Sequence, residues 1–596
     1  MSEMILPGLI MIIGGLLLPV IPGKAKKVFA ILLPIISCAH LCMLPSDLLL
    51  ETTMFGYTLL PVRVDKLSMV WGYVFHLAAL ISVIYQLHVK DTIQDVSGLT
   101  YAGAAIGAAF AGDLITLFVY WELTAITSVF LIYANRTERS ATVGTRYMII
   151  QVLSGVILFL GILLWVTDTT NNPSGGIVFG STYGSENWQL FGMFVDPDTR
   201  GPVSMAAWVI LLAFGIKAAF PFLHNWLQDS YPEGTVTGTV FLSAFTTKLA
   251  IYALARGFAG AEMLIPIGVV MTLFPIIFAV IENDLRKVLA YSLNNQLGYM
   301  VVGIGVGTQL ALNGTAGHAF AHILYKGLLF MAMGAVLYRV GTVKASQLGG
   351  LAKSMPLTAV FCIIGSLSIS GFPGFSGFVT KSMTLSATFD VGSMWIFIAL
   401  LIASAGVVDH SGIKIPFFAF FAHDSGKRCE EAPMNMLIAM GIAAFFCIFL
   451  GVYPTPLYEI LPFKVQANAA GAEWHNYSAS HIMTSLQLLL FAALAFVILF
   501  RTKMYPPELM SLNIDTDVIY RRWLPRLVKS IGGGIVDLWK RILDTLRGAI
   551  VATATRIGDH HRPNAALGEP WTIHQSALWA AVFLAVIFAI GLSAIQ

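Results

Sequence analysis

Charged residues are scarce in this sequence. Asp, Glu, Lys and Arg make up 11% of the 596 residues, whereas about 25% is usual in soluble proteins. Hydrophobic residues make up 57%, and apolar runs of about 20 residues recur along nearly the whole chain. The composition therefore predicts an all-α polytopic membrane protein in contact with lipid. The formal net charge of +3 is small, and we expect no nucleic-acid partner.

Cysteine is also rare. Five cysteines are scattered, mostly in apolar segments: Cys38, Cys42, Cys362, Cys429 and Cys447. No CxxC or histidine-rich ligand pattern occurs, so we predict no iron–sulfur, haem or zinc site. The dense glycine run at Gly303 lies inside an apolar span, which argues against a dinucleotide fingerprint. We expect no cofactor, no metal and no redox chemistry by this chain alone. Membership of an ion-translocating redox enzyme stays open.

The hydrophobic pattern predicts about sixteen transmembrane helices. They cover residues 5–20, 29–46, 67–87, 98–112, 114–133, 146–166, 203–227, 235–256, 262–281, 287–306, 311–338, 356–386, 391–411, 434–454, 482–501 and 574–594. The first run follows the short acidic sequence "MSEM" and precedes the lysines of "GKAKK", which is the reverse of a signal peptide. By the positive-inside rule the N-terminus is outside.

Basic residues alternate between the predicted loops. Loops after odd-numbered spans carry the basic sequences "GKAKK", "NRTERSATVGTR", "ENDLRKV", "YRVGTVKASQLGGLAKSMP" and "HDSGKRCEEAP". Loops after even-numbered spans carry the acidic "LFGMFVDPDTRG", the uncharged "GVGTQLALNG" and the charge-poor "EWHNYSAS". This asymmetry places the odd-numbered loops in the cytoplasm and both termini outside.

Several ionisable residues lie inside otherwise apolar spans, and seven of them are singled out. They are Glu122, Lys217, Lys248, His318, His322, Lys326 and Lys381. Each such group costs at least about 2.5–3.5 kcal/mol at the centre of a bilayer, so it normally has a partner and a function. We predict that these residues carry protons through the membrane.

Three of these residues share one helical face, because His318, His322 and Lys326 follow each other at intervals of four. Two histidines at this spacing could bind a metal, but no carboxylate or thiolate nearby in sequence completes a site. Histidine titrates near neutral pH, which favours a proton relay. A structural role for either histidine alone remains an alternative.

Glu122 and Lys217 form a predicted switch. A nearby carboxylate keeps a buried lysine charged, and separation of the two groups allows the lysine to release its proton. Ion pairing for structure alone is the alternative.

Two spans contain helix breakers beside a lysine. Pro221 follows Lys217 by four residues, and the glycines and proline of "SISGFPGFSGFVTK" precede Lys381. Broken membrane helices are tolerated where the backbone lines a polar cavity, and a matched pair suggests inverted repeats. A proline kink made for packing is the alternative.

The segment 502–573 is basic. From Ile535 its apolar residues follow helical spacing, which predicts an amphipathic helix at the membrane surface. Pro525 and the glycines 532–534 are expected to break any single long helix. The helix would anchor the chain to the surface, or act as a strap that holds neighbouring spans or a partner protein of the same complex.

Five stretches resemble one known family. They are "DLITLFVYWELTAITSVFLI", "GIKAAFPFLHNWLQDSYPEGTVTGTVFLSAFTTKLAIY", "NDLRKVLAYSLNNQLGYM", "HAFAHILYKGLLFMAMGAVLY" and "SGFPGFSGFVTK", and they cover roughly residues 100–385. They are similar to the antiporter-like subunits shared by Mrp-type multisubunit Na+/H+ antiporters, respiratory complex I and membrane-bound hydrogenases. The resemblance implies two inverted five-helix repeats with broken helices seven and twelve.

The resemblance also implies the roles of the site residues. Glu122 and Lys217 match the conserved glutamate–lysine pair, Lys248 the central lysine, His318 and His322 the bridging histidines, and Lys381 the terminal lysine. One subunit type carries glutamate at this last position, so the lysine disfavours that type, and the D-type Mrp subunit is the most similar. The C-terminal stretch is similar to the lateral helix of the largest complex I antiporter-like subunit, but it is short and contains glycines.

The expected function is proton translocation within a multisubunit Na+/H+ antiporter in a prokaryotic inner membrane, together with other membrane subunits. The alternatives are a proton-pumping subunit of a redox complex and an inorganic-carbon uptake subunit. The expected organisation is N-terminal helices 1–97, a first repeat 98–256, a second repeat 257–411, C-terminal helices 412–501, a cytoplasmic-side amphipathic segment 502–573 and a final helix 574–596.

Overall fold

A computed structural model describes residues 5–54, 56–180, 191–465, 475–506, 508, 515–563, 565 and 571–593. The "MSEM" residues 1–4 and parts of the predicted loops around 190 and 473 lie outside the described residues. The chain divides into two compact units, Met1–Asn513 and Ile514–Gln596, which are described separately. The finer domain boundaries predicted from the sequence remain predictions.

The first unit begins with six helices in an up-and-down order: α1 (Leu9–Leu17), α2 (Gly23–Cys42), α3 (Lys66–Gln86), α4 (Thr92–Phe110), α5 (Leu114–Tyr133) and α6 (Glu138–Val166). Short polar residues fix where several of them start. Asp65, Asp91, Asp113 and Thr137 each accept a hydrogen bond from a backbone N–H in the first turn of α3, α4, α5 and α6. Such N-caps satisfy donors that have no partner within the helix.

A broken helix follows. It consists of α7 (Met205–Ala218) and α8 (Asn225–Glu233). Ala219 ends α7 in the left-handed conformation with φ 61°, and Phe222 has φ 68°, while Pro221 between them cannot continue a helix. The predicted break beside Lys217 is therefore confirmed. Two further helices, α9 (Gly238–Ala244) and α10 (Thr246–Phe258), meet at Phe245.

The second half of the first unit has the same order of elements. Three helices, α11 (Leu264–Ile281), α12 (Leu285–Val306) and α13 (Gln309–Val340), precede a second broken pair, α14 (Pro356–Ser370) and α15 (Ser376–Asp390). Gly371 and Gly374 have positive φ at this break, as predicted from the glycines before Lys381. The succession α4–α10 is thus matched by α11–α15 and the helix that follows.

That following helix is irregular. It consists of α16 (Met394–Val407), the π-helix π1 (Val408–Ile413), α17 (Lys414–Pro416) and the π-helix π2 (Phe417–Phe421). The predicted span 391–411 is therefore too short, because the π-helical turns continue the helix past Gly412 and Pro416. The unit ends with α18 (Met434–Val452), α19 (Thr455–Ile460) and α20 (Ala479–Arg501). Short 3-10 turns cover Leu18–Val20, Ala345–Gln347 and Leu351–Lys353.

Eleven helices among the described residues are long and apolar enough to cross a membrane, and three shorter helices are apolar. The polytopic all-α class is confirmed, but the predicted number of sixteen spans is not. The helices α4 and α12 are not among the eleven, and they carry polar residues such as Asp95 and Asn294. The broken helices also divide long spans into shorter pieces.

The connections between helices gather at two ends of the first unit. One end is formed by the connections after α1, α3, α5, α8, α11, α13 and π2. Polar contacts join these connections to each other and to the adjoining helix ends. The contacts are Lys27 with Val89, Arg136 with Asp91, Asn135 with Glu233, Arg286 with Gly234, Asn283 with Ser346 and Arg339 with Glu431. We call this the basic end, since these are the loops with the predicted lysines and arginines. Its composition agrees with the predicted alternation.

The remaining connections meet at the opposite end. The contacts there include Gly112 with Leu60, Arg63 with Phe179, Arg200 with Glu262, Gly260 with Ile304 and Asn313 with Phe463. A two-stranded antiparallel hairpin of β1 (Leu49–Met54) and β2 (Tyr57–Arg63) lies at this end. The hairpin was not predicted, because its apolar residues belong to a short stretch between two predicted spans.

Buried ion pairs tie the helices together at both ends. Arg256 at the end of α10 contacts both carboxylate oxygens of Asp65, the N-cap of α3, at 2.5 Å. At the basic end, Lys26 and Lys27 contact the buried carboxylate of Asp95 at 3.3 and 3.2 Å. Breaking a buried pair leaves an uncompensated charge, so these contacts fix the helix ends strongly.

The second unit contains a π-helix, π3 (Ile519–Trp523), and two helices, α21 (Leu524–His560) and α22 (Ile573–Ser593). The expectation that Pro525 and the glycines 532–534 break the amphipathic helix is wrong, since α21 is continuous over 37 residues. Pro525 directly follows π3, and the helical backbone continues through this junction from π3 into α21. The glycines cost about 1 kcal/mol each relative to Ala, which a helix of this length tolerates.

Candidate functional site

The predicted site residues occupy the interior of the first unit. Lys217, Lys248, His318, His322, Lys326 and Lys381 are all buried. Glu122 on α5 is half-buried. The helices that carry them follow one another from α5 through the first broken helix, α10 and α13 to the second broken helix.

The first pair of residues lies between α5 and α7. The Lys217 ammonium donates to the carbonyl oxygen of Trp121 at 2.6 Å and to Thr124 Oγ1 at 3.1 Å. It also lies 4.3 Å from the centre of the Trp121 ring, where the face of the indole attracts a cation. Among the described residues, Glu122 Oε1 has no hydrogen-bond partner. No ion pair between Glu122 and Lys217 is present among the described residues, and their functional pairing stays a prediction.

Gly155 on α6 makes room for the Glu122 carboxylate. A Cβ atom at this glycine would lie 1.3 Å from Glu122 Oε1 and 2.4 Å from its Cδ. Any side chain at position 155 would therefore displace the carboxylate.

Lys248 lies one turn after the junction of α9 and α10. Its ammonium donates to the carbonyl oxygen of Ser243 at 2.5 Å. Ser243 is in the last turn of α9, where carbonyl groups lack a partner within the helix and favour a cation. The helix junction thus supplies the acceptor for the central lysine.

His318 is held by groups from three helices. Its Nε2 lies 3.1 Å from Gln296 Oε1 on α12, and its Nδ1 lies 3.1 Å from Thr380 Oγ1 on α15. The Tyr325 hydroxyl lies 3.1 Å from the same Gln296 oxygen. Thr380 precedes Lys381 in sequence, so His318 connects α13 to the second broken helix.

His322 has a different environment. Both ring nitrogens are buried and have no hydrogen-bond partner among the described residues. The ring centres of His318 and His322 are 6.2 Å apart, and the ring centre of Tyr325 is 5.3 Å from that of His322. The two histidines are neighbours, but they are not hydrogen-bonded to each other.

Lys326 begins a chain of hydroxyl groups. It donates to Ser292 Oγ on α12 at 2.7 Å, and Ser411 Oγ on π1 donates to the same oxygen at 2.7 Å. His410 Nδ1 lies 2.8 Å from Ser411 Oγ. Sequence reasoning did not single out Ser292, Ser411 or His410.

Lys381 lines a cavity of about 460 Å³ that also contains Ser386, Asp390, His481 and Ser485. Its ammonium donates to the carbonyl oxygen of Ile369 at 2.6 Å, in the last turn of α14. The cavity reaches the start of α20 and the end of α15, at the end opposite the basic end. A cavity lined by both polar and apolar side chains therefore lies next to Lys381, beside the second helix break.

The site can hold and transfer protons over short distances. Donor and acceptor atoms within about 2.6–3.2 Å satisfy the geometry of proton transfer, and this holds from Lys326 to His410 and from His318 to Thr380. Among the described residues, no group of three or more His, Cys, Asp or Glu could hold a metal ion. The chemistry that these residues supply is that of lysine, histidine and hydroxyl groups.

The polar partners of the predicted residues were missed for a physical reason. Ser292, Gln296 and Thr380 reach their partners across helix interfaces, and such contacts have no signal in local spacing. The run "SLNNQ" on α12 is an available signal, because polar residues in the middle of a membrane helix are expensive unless they have partners.

The described fold is that of a polytopic all-α membrane protein whose interior holds ionisable side chains. The family described as "NADH:quinone oxidoreductase/Mrp antiporter, TM" matches residues 111–405. The N-type subunit of the NADH-quinone oxidoreductase of Desulforudis audaxviator is 32% identical over 374 residues, which are 58% of this chain and 72% of that protein. The chain belongs to this family of NADH:quinone oxidoreductase and Mrp antiporter membrane subunits.

Two further relatives come from Alkalihalophilus pseudofirmus. The A-type subunit of its Na+/H+ antiporter is 30% identical over 479 residues, covering 71% of this chain and 58% of that protein. The D-type subunit is 28% identical over 369 residues, covering 59% of this chain and 71% of that protein. The chain spans little more than half of the A-type protein. Both types are similar to it, so these relatives do not single out the expected D type.

Two solved structures share the fold. A chain of the Mrp complex from Dietzia sp. DQ12-45-1b has a TM-score of 0.71 at 20% identity, covering 99% of this chain and 63% of its own length. A chain of the membrane-bound sulfane sulfur reductase, an archaeal respiratory membrane complex, has a TM-score of 0.69 at 21% identity, covering 98% of this chain and 99% of its own. The second match therefore extends over nearly all of both chains.

Proposed function

We propose that this chain is the proton-translocating subunit of a multisubunit Na+/H+ antiporter of the Mrp type. The observation that carries the proposal is the series of ionisable side chains from the half-buried Glu122 to the buried Lys381, which lie inside apolar helices and beside two helix breaks. Such groups are expensive in a membrane protein and mark ion pathways. The similarity to A-type and D-type antiporter subunits supports the choice of the host complex.

In this proposal Lys217 is the first proton carrier and Glu122 controls it. The lysine is bound by the Trp121 carbonyl and the Trp121 ring rather than by the carboxylate, so the pair is separated in the described conformation. Approach of the carboxylate would stabilise the charged lysine, and withdrawal would favour release of the proton. Lys248, His318 and His322 carry the proton onward, and Lys381 releases it into the cavity.

The test is transport by the assembled complex in membrane vesicles. Glu122→Ala and Lys217→Ala should each abolish proton-coupled transport and leave assembly largely intact, because each variant removes one half of the pair. The matched control is Lys344→Met, which removes an exposed lysine at the basic end. Full activity of either assembled site variant contradicts the required role of the pair.

A proton-pumping subunit of a redox complex is the second candidate. The specific observations in its favour are the 32% identity to a component of a NADH-quinone oxidoreductase and the nearly complete overlap with a chain of an archaeal respiratory complex. Inorganic-carbon uptake has no comparable observation in its favour.

Partner subunits distinguish the two candidates. Purification of the native complex through a tag on this chain, followed by protein identification, should recover other small hydrophobic antiporter subunits. Recovery of flavin and iron–sulfur subunits would select the redox complex instead.

We also propose the membrane and the orientation. The chain lies in the inner membrane of a prokaryote with the basic end in the cytoplasm and both termini outside. The concentration of basic connections at one end of the first unit supports this orientation. The roles of α21 as a surface anchor or as a strap both remain compatible with its basic, amphipathic sequence.

A further inference from the structure

Two buried residues outside the predicted proton path lie on the irregular helix after α16. His410 in π1 and Lys414 at the start of α17 are both 0% exposed. Single π-helical turns occur frequently at functional sites. Neither residue has a role in the function proposed above, although each carries the same high cost as the predicted site residues.

His410 is connected to Lys326 by hydrogen bonds. Three successive distances of 2.8, 2.7 and 2.7 Å join His410 Nδ1, Ser411 Oγ, Ser292 Oγ and Lys326 Nζ. On its other side, His410 Nε2 is buried and has no hydrogen-bond partner among the described residues. One nitrogen of the imidazole therefore has a hydrogen-bond contact with Ser411, and the other is available to accept a proton.

Lys414 is buried close to the connection after α11. Its ammonium donates to the carbonyl oxygens of Val280 at 2.6 Å and Glu282 at 2.7 Å. It also forms an ion pair with Glu508, whose Oε1 is 2.9 Å away. Glu282 in turn pairs with the partly exposed Lys287 at 2.9 Å. Glu282 thus contacts Lys414 through its backbone carbonyl and the partly exposed Lys287 through its carboxylate.

A glycine allows this part of the helix to approach α14. A Cβ atom at Gly412, between His410 and Lys414, would lie 2.2 Å from Ser370 Oγ. Ser366, on the same helix as Ser370, donates to the backbone carbonyl of Ser411 at 3.1 Å. The π-helix is therefore held in place by contacts that do not use the His410 imidazole.

The Lys414 cluster and the Lys381 cavity lie at opposite ends of the first unit. Glu282 belongs to the connection after α11, which is part of the basic end. The cavity at Lys381 reaches the start of α20, at the other end. Together these features give the second half of the unit polar groups at both ends.

We infer that His410 and Lys414 form an access branch for protons, which leads from the basic end through Ser411 and Ser292 to Lys326. The inference rests on the proposed function and adds a route that the path from Glu122 to Lys381 does not contain. Glu508 and Glu282 hold the outer end of the branch by their contacts with Lys414.

Each transfer along the branch conserves protons and charge. The Lys414 ammonium gives one proton to His410 Nε2 and becomes a neutral amine. The imidazolium then releases the proton on Nδ1 to Ser411, while Ser411 passes its own proton to Ser292 and Ser292 passes one to the neutral amine of Lys326. Lys326 ends as an ammonium, and both hydroxyls are restored. Lys414 is reloaded from the surface side, where burial raises the pKa of the Glu508 carboxyl above its usual value.

Three lysine side chains influence the His410 imidazole. They are Lys414 on the same helix, Lys326 on α13 and Lys381 on α15. Whichever of them is protonated opposes a permanent charge on the ring, so the imidazolium is a transient carrier. A purely structural histidine at this place would need only its hydrogen bond to Ser411.

The experiment compares three variants of the complete complex in membrane vesicles. His410→Gln keeps an amide that can form a hydrogen bond with Ser411 but cannot carry the proton. Ser411→Ala removes one of the two hydroxyl groups between His410 and Lys326 and leaves the imidazole in place. Each should lower the rate of proton-coupled transport per assembled complex about 100-fold or more, the lower end of the range for loss of a proton-transfer group. The matched control is Ser366→Ala, which loses a hydrogen bond to the same π-helix outside the chain and should stay within about twofold of wild type.

Wild-type vesicles and Lys217→Ala vesicles are measured beside these variants. Absent transport in wild type, or unchanged transport in Lys217→Ala, contradicts the proposed function itself. A second outcome overturns only the branch. In that outcome wild type transports normally and Lys217→Ala has lost transport, but both His410→Gln and Ser411→Ala keep wild-type rates. If His410→Gln does not assemble, Ser411→Ala alone decides between these outcomes.

Discussion

Lys217 and Glu122 approach the same turn of α5 from different directions. The lysine contacts Trp121 and Thr124, which are three residues apart and share one face of the helix. Glu122 is offset from Trp121 by one residue, or about 100° around the helix axis, and its carboxylate faces Gly155 on α6. The carboxylate must therefore leave the glycine, or the lysine must leave the tryptophan, before an ion pair forms.

The first prediction concerns Gly155. Gly155→Ala should reduce proton-coupled transport strongly, because the added Cβ occupies the position of the Glu122 carboxylate. The measurement is transport in vesicles, normalised to assembled complex. The matched control is Gly327→Ala on α13, where an added Cβ meets no atom within 4 Å. Alanine favours a helix by about 1 kcal/mol over glycine, so a loss at 155 cannot come from helix propensity. Equal activity of both variants contradicts the prediction.

The second prediction concerns Lys381. Lys381→Met keeps the bulk and removes the charge, so transport should be lost while packing is retained. Lys381→Glu should restore part of the activity, because it supplies another ionisable group beside the cavity. Lys381→Arg should fail, since a guanidinium with a pKa above about 12 stays protonated throughout the cycle. Wild-type transport by the arginine variant would show that the residue provides only a fixed charge.

The third prediction concerns Gln296. Gln296→Leu removes the oxygen that both His318 and Tyr325 contact at 3.1 Å and leaves these two groups with their mutual contact at 3.2 Å. Each lost hydrogen bond costs about 0.5–1.5 kcal/mol. Transport should fall, and Gln296→Glu, which keeps an acceptor, should recover part of it.

The control for Gln296 is Gln151→Leu on α6. Gln151 is equally buried, but neither of its amide atoms has a hydrogen-bond partner among the described residues. Its replacement should leave transport close to wild type. A similar loss in both leucine variants would show that burial of any glutamine, rather than the orientation of His318, is responsible.

The fourth prediction separates stability from transport. Arg256→Met leaves the Asp65 carboxylate with the Ser68 N–H at 2.9 Å and the longer contact to Arg63 at 3.3 Å. Breaking a buried pair costs about 3–5 kcal/mol. The solubilised complex should lose its helical structure at a lower temperature, while the transport rate per assembled complex should stay near wild type. The control is Arg139→Met, whose exposed pair with Glu233 contributes at most about 1 kcal/mol. Equal melting temperatures for the two variants contradict the structural role of Arg256.

The fifth prediction concerns orientation. In a background without the five native cysteines, Thr170→Cys should react with an impermeant thiol reagent from outside, and Lys353→Cys should not. Both residues are exposed, and they belong to connections at opposite ends of the first unit. Reversed labelling would overturn the proposed orientation.

Helix breaks and buried charges were predictable from the sequence because their causes are local. A proline after Lys217 and glycines before Lys381 restrict the backbone wherever they occur, and an ionisable residue within an apolar run is unusual in any membrane helix. The contacts of Glu122 with Gly155 and of Lys326 with Ser292 join residues far apart in sequence. No local pattern encodes such contacts.

Lys414 was missed because the predicted span ended at residue 411, whereas His410 lay inside that span and was not singled out. Gly412 and Pro416 suggest an end to the helix, but the π-helical turns absorb them, and the apolar stretch continues to Phe421. A histidine and a lysine four residues apart, followed by "IPFFAFF", are a usable signal once the span is extended.

The π-helical turns also determine the rotational setting of Lys414. A π-turn closes its hydrogen bond one residue later than an α-turn, so it shifts the angular phase of everything that follows. Deleting one residue from π1 would rotate Lys414 by about 100° about the helix axis, away from the carbonyl oxygens of Val280 and Glu282. The position of this ammonium therefore depends on the number of residues before it as strictly as on the lysine itself.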